Sequence, residues 1–221
     1  MSDIFITSLF SDPEYFWCVT LAVIPSICLH EYFHVQVAFW CGDDTAAHYG
    51  HLTLNPLRQM GWISLVMFFI LGIAWGMVPV DRRRLSKGQA ALVSFSGPGM
   101  NLLLAALAWI ACVFMPLWTA NGGPRLLHVY LIVLGMYNLV LFFINMLPVP
   151  GLDGWGILSE FFHFRAVNSE VVKGAMLFLM LGIFVCIDYV FAAAMWVMSL
   201  AQLPALRRGV RWRSRFRRHG A

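Results

Sequence analysis

The sequence predicts an all-α integral membrane protein, a polytopic helical bundle of about four to six transmembrane segments. Hydrophobic residues make up 60% of the 221 residues and charged residues only 12%, whereas soluble domains hold about 45–50% and 25%. The apolar residues form five runs, each near or above the roughly 20 residues that a spanning helix needs. These runs lie at 15–40, 61–80, 88–117, 126–149 and 174–203.

The first run carries titratable side chains in an otherwise apolar helix. It contains His30-Glu31-Tyr32-Phe33-His34, which is the pattern H-E-x-x-H. Residues i and i+4 share a helix face, so both imidazoles can bind one Zn²⁺ ion. Glu31 lies about 100° around the helix, close enough to act on a metal-bound water. Interhelical packing is the alternative role of the histidines, but the cost of ionisable groups in a membrane favours a functional one.

The polar break at 41–60 contains a short alternating segment, Leu52-Thr53-Leu54, which ends at Asn55-Pro56. Alternation of this kind is typical of a strand. We therefore expect a short β element at the membrane edge, with which an extended peptide could pair. A surface loop is an equally good interpretation of the same residues.

A third metal ligand is needed, because catalytic zinc sites usually combine three protein ligands with a water. The run at 126–149 ends in a segment rich in proline and glycine, which breaks the helix and frees backbone groups. Irregular backbone occurs at membrane depth only where it lines a cavity, and Asp153 in this segment is a candidate ligand. Its alternative role is to form a turn before Gly154. Other candidates are His48, His51, His128 and Asp188.

These motifs together resemble the site-2 protease family of intramembrane zinc metalloproteases. That family has H-E-x-x-H in one core helix and N-x-x-P-x-x-x-x-D-G in another. The second pattern is matched by Asn145, Pro148, Asp153 and Gly154. Residues 97–101 read Gly-Pro-Gly-Met-Asn and resemble the G-P-x-x-N pattern of a further core helix. The resemblance therefore implies a three-helix catalytic core within the bundle. Residues 50–58 and 78–84 resemble the small bacterial and archaeal branch without a PDZ domain.

The resemblance implies a zinc metalloendopeptidase that hydrolyses peptide bonds in or near transmembrane segments of membrane proteins. Its partners would be a transmembrane protein or peptide substrate and the lipid bilayer, and it would be a multi-pass protein of a bacterial or archaeal cell membrane. Zn²⁺ would be held by His30, His34 and Asp153, with Glu31 as general base and acid. Asn145 would contact substrate or stabilise an oxyanion, or alternatively form a helix–helix hydrogen bond.

Gly97 and Asn101 are assigned to close helix packing rather than to chemistry. Two other functions stay open for the chain as a whole, a multi-pass metal-ion transporter and a non-catalytic relative of the protease. A transporter would not need Glu31 beside the metal and often shows paired repeats, which the sequence lacks. All the residues expected to carry the chemistry are present, which argues against a non-catalytic relative.

The proposed ligands constrain the topology. His30 and His34 lie towards the end of the run 15–40, and Asp153 follows the run 126–149, so these two segments must run in the same direction. The run 88–117 supplies one return crossing, so 61–80 should not be a full span. The positive charges at 82–87 would then be cytoplasmic.

We treat residues 1–206 as one membrane domain and 207–221 as a basic juxtamembrane tail. Seven of the fifteen Lys and Arg residues lie between Arg207 and Arg218. After a hydrophobic segment, such a tail favours contact with anionic lipid over nucleic acid. One crossing by 174–203 would place it outside, against the positive-inside rule, so its side stays open. The five scattered cysteines indicate neither a disulfide framework nor a thiolate zinc site.

Overall fold

A computed structural model describes residues 4–115, 126–161 and 170–201. Within these ranges the chain forms nine α-helices, short 3-10 turns and no strand. The helices are α1 (Ser8–Ser11), α2 (Pro13–Trp40), α3 (Thr45–His48), α4 (Pro56–Gln59), α5 (Gly61–Leu71), α6 (Lys87–Phe114), α7 (Leu126–Asn145), α8 (Asp153–Phe161) and α9 (Glu170–Leu200). Of the helices described, α2, α6 and α7 are long and apolar enough to cross a membrane. The sequence-based count of four to six spans stays a prediction, and the tail at 207–221 lies outside the described residues.

Local signals explain where the long helices begin. The Asp12 side chain accepts a hydrogen bond from the Tyr15 N–H, and Pro13 occupies the first position of α2, where its missing N–H costs nothing. Ser86 and Gln89 form a reciprocal capping box at the start of α6. Helix α2 then continues through Pro25 to Trp40, so that His30 lies about 15 Å before the end of the helix.

The three long helices form the core, with α6 packed against both α2 and α7. Helices α2 and α7 run in the same direction, because Tyr130 near the start of α7 bonds to Leu21 and Asn138, farther along, bonds to Ser26. Helix α6 runs the opposite way. This arrangement brings the end of α7 towards the histidines of α2, as the ligand argument requires.

The stretch 61–80 is helical only in its first half. Helix α5 has 11 residues and ends at Gly72, whose φ of 75° is left-handed. Its length of about 16 Å falls well short of a membrane core of about 30 Å. The Ser64 hydroxyl donates to the Trp75 carbonyl and accepts from the Trp75 N–H, so the non-helical segment 73–80 folds back beside α5. The local structure agrees with the expectation that this stretch is not an independent span.

The β element predicted at Leu52-Thr53-Leu54 is wrong, because residues 51–55 form no strand. The Gln59 side-chain amide donates to the backbone carbonyls of His51 and Thr53, and the Thr53 N–H donates to the His51 carbonyl. Backbone groups that a strand would offer to a neighbour are therefore used locally. Alternation over three residues could not reveal that a side chain farther along would compete for them.

Asn55 and Ser86 are expected to lie on the same side of the membrane, because they flank a stretch that does not cross it. Both side chains are exposed. Single cysteines at these positions, in a chain freed of its own five cysteines, should react with a membrane-impermeant thiol reagent from the cytoplasmic side only. Labelling from opposite sides would contradict this topology.

Candidate metal centre

Three donor groups meet where the C-terminal half of α2 faces the start of α8. Nε2 of His30 lies 3.0 Å from Nε2 of His34, and the Asp153 carboxylate oxygens lie 3.1 and 3.3 Å from these nitrogens. In the described part of the chain this is the one group of three His, Cys, Asp or Glu side chains placed to share an ion. Tetrahedral zinc with bonds of about 2.0–2.1 Å sets its donors about 3.3–3.4 Å apart, slightly more than most of these spacings, so small side-chain shifts would accommodate an ion.

The hydrogen bonds of the other two ring nitrogens indicate that a cation would be favoured at this point. Nδ1 of His34 bonds to the Val93 carbonyl at 2.7 Å, and Nδ1 of His30 bonds to Oδ1 of Asn101 at 2.5 Å. Because a carbonyl oxygen only accepts, each Nδ1 carries the proton and each Nε2 presents a lone pair. Two lone pairs and a carboxylate therefore point at one another across about 3 Å. A zinc ion between them would satisfy all three at once.

Asp153 is the donor that lies outside the long apolar helices. Burial opposes ionisation of this carboxyl, but the hydrogen bonds that His30 and His34 donate when a proton on Nε2 takes the place of a metal outweigh burial and hold its pKa below the ordinary value. The side chain is therefore a carboxylate at neutral pH, the form that binds metal.

Gly97 lies directly over the donors. A Cβ at this position would contact Nε2 of both His30 and His34. The sequence assigned Gly97 to close helix packing, and the structure adds that its missing side chain is what leaves the space between α6 and the two imidazoles. No pattern within α6 alone could indicate this, because the contact is made with another helix.

Glu31 lines the same cavity, of about 310 Å³, as the three donors. Its side chain is 7% exposed. The non-helical segment passes so close that a Cβ on Gly76 would contact the Glu31 carboxylate. The segment therefore forms a wall over the glutamate and separates it from the surroundings.

Asn145 also lines this cavity, at the last residue of α7. Its Nδ2 donates to the Leu141 carbonyl of the same helix at 3.0 Å. The helix–helix hydrogen bond considered as its alternative role is not among the contacts of the described residues. The structure thus brings all five predicted site residues to one cavity, whereas His48 and Asp188 lie exposed.

Arg82 is a cavity residue that sequence reasoning missed. Its guanidinium donates to the Gly156 carbonyl and to Glu160 of α8, and to the Ser94 hydroxyl of α6. These bonds fasten α8, which begins at Asp153, against α6. The sequence identified Arg82 only as one of several loop charges, and nothing in a run of three arginines distinguishes the one that turns inward.

Removing both histidines is expected to abolish metal binding. A His30→Ala/His34→Ala protein keeps only Asp153 of the three donors, and a single carboxylate does not hold zinc tightly. Metal analysis of purified protein should show one zinc per chain in the wild type and almost none in the variant. A His48→Ala protein, altered at an exposed histidine outside the cavity, serves as the control. Equal zinc in the wild type and the double variant would place the metal elsewhere.

Several curated proteins similar to this chain have names that describe zinc metalloproteases. "Putative zinc metalloprotease YwhC" of Bacillus subtilis is 35% identical over 152 residues, which are 64% of this chain and 68% of that protein. "Putative zinc metalloprotease Rip2" of Mycobacterium tuberculosis is 30% identical over 195 residues, 80% of this chain and 71% of that protein. Rip2 of Mycolicibacterium smegmatis is 32% identical, and the match spans about half of its length (53%). No protein-family model and no solved structure matches the chain.

Proposed function

The chain belongs to the site-2 protease family of zinc metalloproteases, and from this we propose that it hydrolyses peptide bonds in or beside transmembrane segments of membrane proteins. The observation that carries the proposal is the position of Glu31 in one cavity with three convergent metal donors. These groups lie in and beside helices apolar enough to span a membrane. The proposal places the enzyme as a multi-pass protein in a bacterial or archaeal cell membrane.

Each of the cavity residues has a separate role in the proposed hydrolysis. Zinc held by His30, His34 and Asp153 would supply a Lewis acid that activates water and polarises the scissile carbonyl. Glu31 accepts the proton that the attacking water loses, and returns it to the amine nitrogen as the C–N bond breaks. Asn145 carries two amide N–H donors, one of which serves Leu141. We propose that the amide also donates to a substrate backbone oxygen.

The enclosure of Glu31 bears on the form of the substrate. Gly97 of α6 lies against the two histidines, and Gly76 of the segment 73–80 lies against the Glu31 carboxylate. A scissile carbonyl has to reach this enclosed point, and the carbonyls of a transmembrane helix are held in i to i+4 bonds until the helix opens. We propose that a substrate helix unwinds locally before it is cut.

Helix-breaking changes in a substrate are therefore expected to speed cleavage. A Gly or Pro near the scissile bond should raise the rate, and a Leu/Ala-rich segment of matched hydrophobicity should lower it. Cleavage rates in proteoliposomes across such a series would measure the effect. Soluble, unstructured peptides should be cut poorly, because they do not concentrate in the bilayer. If the cleavage rate does not change with the helix stability of the substrate at constant hydrophobicity, unwinding is not a controlling step.

The proposed function itself is tested with purified protein in proteoliposomes that contain a single-span substrate. Cleavage should occur, stop when a chelator removes zinc, and return when zinc is added back. The control substrate carries the same flanks around a scrambled soluble segment. Zinc flux across the vesicle without any cleavage would favour a metal transporter and contradict the proposal.

A further inference from the structure

A buried chain of side-chain hydrogen bonds joins three helices behind His30. Nδ2 of Asn101 donates to Oδ1 of Asn138 at 2.9 Å, and Nδ2 of Asn138 donates to the Ser26 hydroxyl and the Leu134 carbonyl, both at 2.8 Å. Asn101 and Asn138 are completely buried, and Ser26 is 1% exposed. The chain ends at the Nδ1 of His30, which bonds to Oδ1 of Asn101. We call these three polar residues, Ser26, Asn101 and Asn138, the amide relay.

The direction of every bond in the amide relay follows from one backbone carbonyl. The Leu134 carbonyl can only accept, so the NH₂ group of Asn138 must face it and the oxygen of Asn138 must face Asn101. That oxygen requires the NH₂ group of Asn101, whose own oxygen then points at His30. Nδ1 of His30 must therefore carry the proton, and Nε2 is left with the lone pair that a metal needs.

The two histidines are held in different ways. His34 bonds to the backbone carbonyl of Val93, whose acceptor character no side-chain change alters. His30 depends instead on an amide that becomes a donor when it rotates by 180°. If the NH₂ group of Asn101 faced His30, the ring proton would move to Nε2 and point at the metal position. Asn138 is the residue that prevents this rotation.

We propose that Asn138, acting through Asn101, is a positioning residue that sets the metal-binding tautomer of His30 and thereby the zinc affinity of the chain. The inference rests on the zinc site of the proposed function. It adds a determinant on a third helix, in a residue whose hydrogen bonds go to Asn101, Ser26 and Leu134. Loss of a partner that orients a metal-bound histidine typically lowers metal affinity about 10–100-fold.

The test compares zinc affinities of purified, detergent-solubilised variants by competition with a chromophoric chelator. Asn138→Leu should bind zinc about 10–100-fold more weakly than the wild type. Adding Asn101→Asp to that variant should restore most of the affinity, because a carboxylate presents an acceptor to His30 whichever way it turns. Thr20→Val is the matched control, since Thr20 is a buried hydroxyl on α2 without a hydrogen-bond partner among the described residues. It should bind zinc like the wild type.

Each outcome separates the two hypotheses. A wild type that binds no zinc refutes the site itself, and with it the proposed function. A wild type that binds zinc, together with unchanged affinity in Asn138→Leu, refutes only the amide relay. A loss in Asn138→Leu that Asn101→Asp does not rescue shows a packing defect and also overturns the inference. Thermal melting checks the fold, and Asn138→Ala replaces Asn138→Leu if the larger side chain prevents folding.

Discussion

Glu31→Gln is expected to bind one zinc ion per chain and to cleave substrate at least about 10²–10⁴-fold more slowly than the wild type. Glutamine nearly matches the volume of glutamate, so the buried position beside Gly76 and the three metal donors should be undisturbed. Its amide, however, cannot accept the proton of the attacking water. The substitution therefore separates metal binding from proton transfer.

The measurement pairs metal analysis with the cleavage rate of a single-span substrate in proteoliposomes. Glu14→Gln is the matched control, because Glu14 lies exposed in the first turn of the same helix and should leave both quantities unchanged. Wild-type cleavage by Glu31→Gln would remove Glu31 from the proposed mechanism. Loss of zinc in the same variant would assign Glu31 to the metal site rather than to proton transfer.

Gly97→Ala is expected to lose both zinc and activity, although it adds only one methyl group. The new Cβ would lie 2.6 Å from Nε2 of His30 and closer still to Nε2 of His34. Either the imidazoles turn away or α6 moves outwards, and a misplacement of about 1 Å can cost about 10²-fold in rate. Unlike Glu31→Gln, which should keep its zinc, this variant should be inactive because it does not bind the metal.

Zinc content and cleavage rate are again the measurements, and Gly88→Ala is the control. Gly88 belongs to the same helix, and a Cβ there would meet nothing within 4 Å. That control should keep zinc and activity, since alanine favours a helix more than glycine does. Full zinc occupancy in Gly97→Ala would show that α6 does not approach the metal donors as closely as described.

Local patterns in the sequence were enough to predict the long helices and the shared face of His30 and His34, whereas the family resemblance singled out Asp153 among the candidate third ligands. Apolar runs and capping residues are properties of neighbouring positions, and the spacing of His30 and His34 is fixed by the helix itself. The direction of α7 followed from requiring Asp153 to meet them. These predictions needed no knowledge of contacts between helices.

What sequence reasoning missed depends on contacts between distant residues. Asn101 was assigned to helix packing. Its hydrogen bonds to His30 and Asn138 reach two other helices, so no pattern within α6 could reveal them. No strand forms at 52–54, where the Gln59 side chain binds the backbone carbonyls of His51 and Thr53. In both cases a polar side chain satisfies a group outside its own helix, and only the packed structure shows which one.

The position of Arg82 has a consequence for hydration. Hydrolysis consumes one water for each bond cut, and a reaction site among apolar helices has to be supplied with it. The Arg82 side chain is 47% exposed and at the same time lines the cavity of the metal donors. Through Ser94, it connects that exposed edge with the inner wall. In the proposed hydrolysis, this polar wall would offer water a path from the exposed edge to the metal donors, along the residue that also binds α8.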